Sequence, residues 1–305
     1  MKRLTLKLFA FLLLFYLLEK PFGFFISNLV QKYQVDNRLE GIDEIKKNKE
    51  LLIIGSSRAV NGIDPKIIKN KLGLETFGMA YSGSNVLFHK TLVKLLYTQS
   101  NSKYLILNID AAESFVVYER SIYRKDKLQP YLANHEVLEE YCAHTSKNYF
   151  LSTLSWAYRE NQNIYDVLTY LRKGKEDADI TNNVDSFGFI PIHTVAEDFD
   201  PNVELEEIQF SSLKLDSSRV NAFKWILDFA SENDVKVFIS ILPSYQYKVV
   251  GLNNFVHSFF VNDEVLIDLT NELGDKDYYY DRGHLNSKGA KSISKILAER
   301  VSNGI

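Results

Sequence analysis

Short, unbroken runs of β-type apolar residues, each stopped by a turn signal, constrain this chain more than any other feature. Leu51-Leu52-Ile53-Ile54 stops at Gly55, Tyr104-Leu105-Ile106-Leu107-Asn108-Ile109 is followed by Asp110, and the run over 235–242 ends at Pro243. A strand that is apolar on both faces, rather than alternating, belongs in a parallel sheet covered by helices on each side. The segments between these runs read as helices. Asp64-Pro65 pairs an N-cap with proline at the first helical position, starting a helix to about Leu72. Residues 74–77 form a second short strand leading into the turn Gly78-Met79-Ala80-Tyr81-Ser82-Gly83-Ser84-Asn85, and a helix follows over 86–99. Val220, Phe223, Ile226, Leu227 and Ala230 recur at helical spacing over 218–233, and helices are also expected over 250–260 and 287–301, with a fifth strand over 265–269. The alternation predicts an α/β fold of three layers, α/β/α, around a five-stranded parallel sheet.

Two segments break this rhythm. Residues 111–216 form an insertion between strands three and four, carrying Tyr118, Tyr123, Tyr131, Tyr141, Phe150, Trp156, Tyr165 and Tyr170 and then an acidic stretch over 193–216. A helical cap near the ligand edge of the sheet is expected there, with its aromatics mostly in packing and its acidic stretch a solvated face. At the N-terminus, Lys2, Arg3 and Lys7 precede an uncharged apolar run over 8–18, which is followed by Glu19-Lys20-Pro21 and a second apolar stretch over 22–30. Eleven helical residues span only about 16 Å against a hydrocarbon core of about 30 Å. No small-x-small cleavage site follows. The segment therefore reads as an uncleaved signal-like segment or a short or tilted membrane anchor over residues 4–30, with Glu19 and Lys20 near an interface. Basic residues lie on both sides of it, so the positive-inside count nearly ties. Residues 31–49 read as a polar linker.

Composition narrows the classes. A formal net charge of −3 and a pI near 6.1 give no basic surface for nucleic acid. The single cysteine, Cys142, makes neither an intrachain disulfide nor a cysteine-rich zinc site. No dinucleotide or phosphate-loop spacing occurs at either glycine turn, so no cofactor and no metal is expected.

Chemistry concentrates at two places. Gly55-Ser56-Ser57-Arg58 follows the first strand, at the carboxyl edge where open parallel sheets bind ligands. Near the other end, Asp281-Arg282-Gly283-His284 sets a carboxylate three residues before an imidazole, ahead of a helix capped by Asn286 or Ser287. That spacing lets Asp281 fold back onto His284 and fix its tautomer, while the opposite ring nitrogen accepts a proton from a hydroxyl. A metal site would have only these two ligands.

Gly55-Ser56-Ser57, Ser82-Gly83-Ser84 and Asp281-x-x-His284 with Leu285-Asn286 and Gly289-Ala290 resemble the first, second and fifth blocks of the SGNH (GDSL-like) hydrolase superfamily. The resemblance covers roughly 50–110 and 218–305 and implies a domain over 50–305 with strand order 2-1-3-4-5. It implies Ser57 as nucleophile, with Ser56 the substitute, His284 as base and then acid, and Asp281 as its orienter. The backbone N–H groups of Ser57 and Gly83 would line an oxyanion hole. The third block departs from the family's Gly-x-Asn-Asp, leaving Asn108 inside a strand, with Asn85 or Ser84 as replacements. The departure is similar to that of membrane-anchored members of envelope-glycan modification. This implies an O-acyl, chiefly O-acetyl, esterase or acyltransferase outside the cytoplasm, with a small-molecule or glycan ester substrate and a membrane acyl-donor partner protein. The other reading is a non-catalytic glycan-binding or assembly protein on the same scaffold. Cys142 lies outside every matched block, so any nucleophile is a serine.

Overall fold

The apolar runs pair side by side in the computed structural model, which describes residues 2–33, 38–173, 184–197, 199–200 and 202–305. Its strands are β1 (Leu51–Ile54), β2 (Thr76–Gly78), β3 (Tyr104–Ile109), β4 (Glu206–Gln209), β5 (Lys236–Ile241), β6 (Tyr247–Val250) and β7 (Val265–Asp268). The helices begin with α1 (Lys2–Tyr33), α2 (Ile42–Asn48), α3 (Ser57–Gly62), α4 (Pro65–Leu72), α5 (Val86–Tyr97) and α6 (Lys125–Leu128). They continue with α7 (His135–Ala143), α8 (Tyr149–Leu154), α9 (Trp156–Lys173), α10 (Ser217–Glu232), α11 (Leu252–His257) and α12 (Ser287–Ser302).

Five strands form one all-parallel sheet in the order β2-β1-β3-β5-β7, the expected 2-1-3-4-5 when its members are counted in chain order. Leu51 is level with Thr76 on one side and Tyr104 on the other, Tyr104 with Lys236, and Phe238 with Val265. Leu51, Ile53, Ile106, Phe238 and Ile267 are buried in one cluster with Ile68 of α4 and Ile293, Leu297 and Val301 of α12. Helices α5 and α10 pack together and against β1 and β5 respectively, completing the α/β/α layering.

The helix signals act as read from the sequence. Asp64 Oδ1 accepts from the Lys66 N–H at 2.9 Å to cap α4, and Asp216 caps α10 in the same way. Three expectations are revised. Residues 42–48, assigned to the linker, form helix α2 with Ile42 and Ile45 buried; positions 34–37 of that linker lie outside the described residues. The helix expected over 250–260 is present but shorter, as α11 over 252–257, and strand β6 ends at Val250 just before it. Within the acidic stretch expected as a solvated face lies β4, which pairs in parallel with β6, Glu206 level with Tyr247 and Gln209 with Val250.

The chain divides into two compact units, one of residues 1–40 and 125–182, the other of 41–124 and 183–305. The insertion is thus split. Its flanks belong to the sheet unit, and its helices α6 to α9 belong with the N-terminal helix. In that helical unit α1 is one continuous helix of 32 residues running through Pro21. Leu4 to Leu18 carry exposed apolar side chains, whereas Ile26 and Val30 are buried with Val167 of α9. By length and apolar character this helix is sufficient to cross a membrane.

Candidate active site

The first strand ends in a turn that needs glycine. A Cβ on Gly55 would stand 2.6 Å from the Ala59 side chain and 2.9 Å from that of Asn108. The chain then enters α3 at once, with the Ser56 hydroxyl as its N-cap, accepting from the Arg58 N–H at 3.3 Å. Ser56 is buried in this role, and Ser57, at the first helical position, is turned outward.

The Asp281–His284 turn closes on itself. Asp281 Oδ1 accepts the N–H groups of Gly283 and His284 at 2.7 and 2.8 Å, which holds the carboxylate under the imidazole. His284 Nδ1 lies 2.9 Å from both Asp281 oxygens. That nitrogen therefore carries the proton, leaving Nε2 as the acceptor. The Ser57 hydroxyl donates to Nε2 at 2.8 Å. Residues 227 positions apart are thus in direct contact. Burial alone raises the Asp281 carboxyl, but the His284 hydrogen bond and charge and the two backbone N–H groups outweigh it and hold Asp281 below its ordinary value. Downstream, Asn286 caps α12 by accepting from Lys288 and Gly289, while its amide donates to the carbonyls of Asp277 and Tyr279.

These groups open into a cavity of about 670 Å³ at the carboxyl edge of the sheet. The Gly83 turn forms another part of its wall. Gly83 has φ +69°, a left-handed conformation that side-chain-bearing residues adopt at a cost. Among the described residues neither the Ser57 nor the Gly83 backbone N–H donates a hydrogen bond, and both residues line the cavity.

The remaining oxyanion assignments are corrected. Asn108 is fully buried, and its amide donates to the Ser240 carbonyl and hydroxyl at 3.1 and 3.2 Å, across to β5. A side chain inside a strand points to one face of the sheet, not off its end, so Asn108 does not reach the cavity. Asn85 Oδ1 is used to cap α5 through the Phe88 N–H, and Asn85 does not line the cavity. Ser84 does line it, but its hydroxyl is tied to the Gly55 carbonyl and the buried His89 ring.

No protein-family model matches the chain, and no curated protein matches it.

Several wall residues carried no signal of their own in the sequence. Asp110 and Glu113 follow β3 and line the cavity, and Asp110 Oδ1 and Glu113 Oε2 are buried without a hydrogen-bond partner. Burial raises both carboxyls, opposed in each case mainly by the charge of Arg58. Arg58 is held in turn by the Ser244 hydroxyl at 2.7 Å and lies 3.8 Å from Glu113. The β4–β6 pair brings Glu206 and Tyr247 to the wall, and Glu206 pairs with Arg282 at 3.1 Å, next to Asp281. Arg58 was legible as part of the Gly55 motif. Glu206 and Tyr247 depend on a pairing of strands that no local pattern announces, whereas Asp110 and Glu113 follow the legible β3 and Arg282 lies inside the Asp281–His284 motif. Of the eight aromatics singled out in the insertion, only Tyr118 lines the cavity among the described residues; Tyr131 and Tyr141 are buried, and the Tyr170 side chain lies outside the described residues.

Proposed function

We propose that the protein is a serine esterase or acyltransferase of SGNH type, acting on an O-acyl group of a cell-envelope carbohydrate and anchored in the membrane by α1. The observation that carries this reading is the relay in which Ser57 Oγ lies 2.8 Å from His284 Nε2 while Nδ1 of the same ring lies 2.9 Å from Asp281. His284 Nε2 takes the Ser57 proton as Oγ attacks the ester carbonyl carbon. The oxygen of the tetrahedral intermediate, now negative, is met by the Ser57 and Gly83 N–H groups. The imidazolium gives its proton to the departing alkoxide, leaving an acyl-Ser57 ester. Water or a sugar hydroxyl, deprotonated by His284, then attacks that ester and regenerates the serine. A polyhydroxylated substrate suits the lining, which is rich in polar and charged side chains, Arg58, Asp110, Glu113, Ser121 and Glu206 among them.

A second reading, a non-catalytic glycan-binding or assembly protein on the same scaffold, is favoured by the engagement of Asn108 with β5, which leaves the hole without its side-chain amide. Fluorophosphonate labelling separates the two. Labelling of the wild type that disappears in Ser57→Ala supports the enzyme, and an unlabelled, folded wild type supports the binding protein. Release of acyl groups from a model ester, with and without added glycan acceptor, then distinguishes hydrolysis from transfer.

A further inference from the structure

The helical unit carries an apolar ledge where α1 leaves its exposed stretch. Helix α8 shows Phe150, Leu151 and Leu154 to solvent, at 68%, 45% and 47% exposure. It is joined to α1 at one level: Lys20 Nζ donates to the Leu154 carbonyl at 2.6 Å, and the same ammonium sits over the rings of Tyr16 and Trp156. Glu19, almost fully buried, accepts from the Ala157 N–H at 2.8 Å, so a carboxylate meets the positive N-terminal end of α9. Gly23 lies against Trp156. Further along, Ile26 and Val30 pack with Val167, so α1 and α9 run in the same direction from this junction.

The level of the junction can be compared with a bilayer. A hydrocarbon layer of about 30 Å takes up roughly 20 helical residues. Counted from Leu4, just after the Lys2-Arg3 pair, it ends at about Gly23. This is close to the level of Lys20, Trp156 and α8, with Tyr16 about 10 Å nearer the bilayer centre, and Phe22, Phe24 and Phe25 are also exposed there. Tyrosine, tryptophan and snorkelling lysine are the residues that settle at a membrane–water interface.

We propose that α8 and the start of α9 form an interfacial shelf, with Phe150, Leu151 and Leu154 immersed in the headgroup layer of the bilayer that α1 crosses. The occupant of this face is lipid, because Leu154 of α8 is hydrogen-bonded to Lys20 at the level where the exposed apolar stretch of α1 ends. The shelf rests on the membrane-anchor reading. It adds a fixed depth and a fixed rotation of the helical unit at the surface, since a helix held at two points to α8 and α9 cannot slide or turn independently of them.

The test uses the full-length protein in phosphatidylcholine vesicles, with Cys142→Ser and single cysteines introduced as Leu12→Cys, Phe150→Cys, Leu154→Cys or Leu168→Cys, each carrying an environment-sensitive fluorophore. All four positions are exposed, so the labels leave the packing intact. Leu168, also on α9, lies about 18 Å beyond Trp156 along the helix and serves as the reference. Nitroxide lipids should quench Leu12 from the deep acyl position. They should quench 150 and 154 from the shallow position at least about twofold more than 168, with iodide showing the reverse order. If 12 is quenched by lipid but 150 and 154 behave as 168 does, the shelf is overturned and the anchor stands. Labels at 150 and 154 shielded from lipid and iodide alike show a protein covering and also overturn it. A label at 12 that lipid does not quench overturns the anchor and the shelf together.

Discussion

Two titratable side chains give the stability of the fold a dependence on pH. Asp281 is held below its ordinary carboxylate value, against the effect of its burial, by His284 and the backbone N–H groups of its own turn. A depressed carboxylate stabilises the fold above its unfolded value, near about pH 4, and that contribution is lost as pH falls through the folded value. Asp281→Asn should therefore narrow the difference in urea stability between neutral pH and pH 3. It should also lower ester turnover on the order of 10³–10⁴-fold, because the imidazole loses the partner that fixes its tautomer. His89 behaves differently. Burial pushes it down to about 3, with Arg219 adding to the effect and the Gly55 carbonyl opposing it. The unfolded chain binds the extra proton between about pH 3 and 6.5, so stability should rise with pH across that window by up to about 1.4 kcal/mol per unit. Urea unfolding from pH 4 to 7 should show His89→Gln with a shallower slope than wild type. Asn108 distinguishes structure from chemistry. Asn108→Ala should cost about 1–3 kcal/mol of stability through its lost bonds to Ser240. Turnover of a model ester by the folded variant should fall less than the 10²–10³-fold that loss of an oxyanion donor brings.

Element by element, the position of His284, the proposed base, depends on how α12 begins. Asn286 lies two residues beyond His284 and both caps the helix and ties the preceding turn to Asp277 and Tyr279. Asn286→Ala should lower unfolding stability by roughly 1–2 kcal/mol, read by thermal or urea denaturation. It should also reduce turnover more than a cap substitution on a remote helix such as α10 does, since the His284 turn loses its tether. The central strands β1, β3 and β5 were legible because each is buried on both faces and written as a largely apolar run. Strands β4 and β6 were not. Glu206-Glu207-Ile208-Gln209 is polar and mostly exposed, and its partner Tyr247-Lys248-Val249-Val250 is half-buried throughout. Their pairing is held by main-chain bonds, which leave no mark on the side-chain pattern. Helix α2 was hidden for a similar reason: seven residues carrying two buried isoleucines are too few to establish a period.

For the whole molecule, the sheet unit contains every group of the proposed relay, and the helical unit contains the long apolar helix. If α1 crosses a bilayer, alkaline carbonate should leave the full-length protein in the membrane pellet, and detergent should be needed to release it. The sequence by itself determined the parallel sheet, the caps of α4 and α12, the local Asp281–His284 turn and the apolar start. Each of these is written in residues within a few positions of one another, where burial period, capping and chain stiffness act directly. Only the tertiary structure decided the rest. It brought Ser57 to His284, turned Asn108 toward β5 instead of the cavity, raised a wall from β4 and β6, and joined α1 to the helices of a distant insertion. Those outcomes depend on which segments close long loops and share buried surface, and the residues that make such contacts are chosen by the fold and not by their neighbours in sequence.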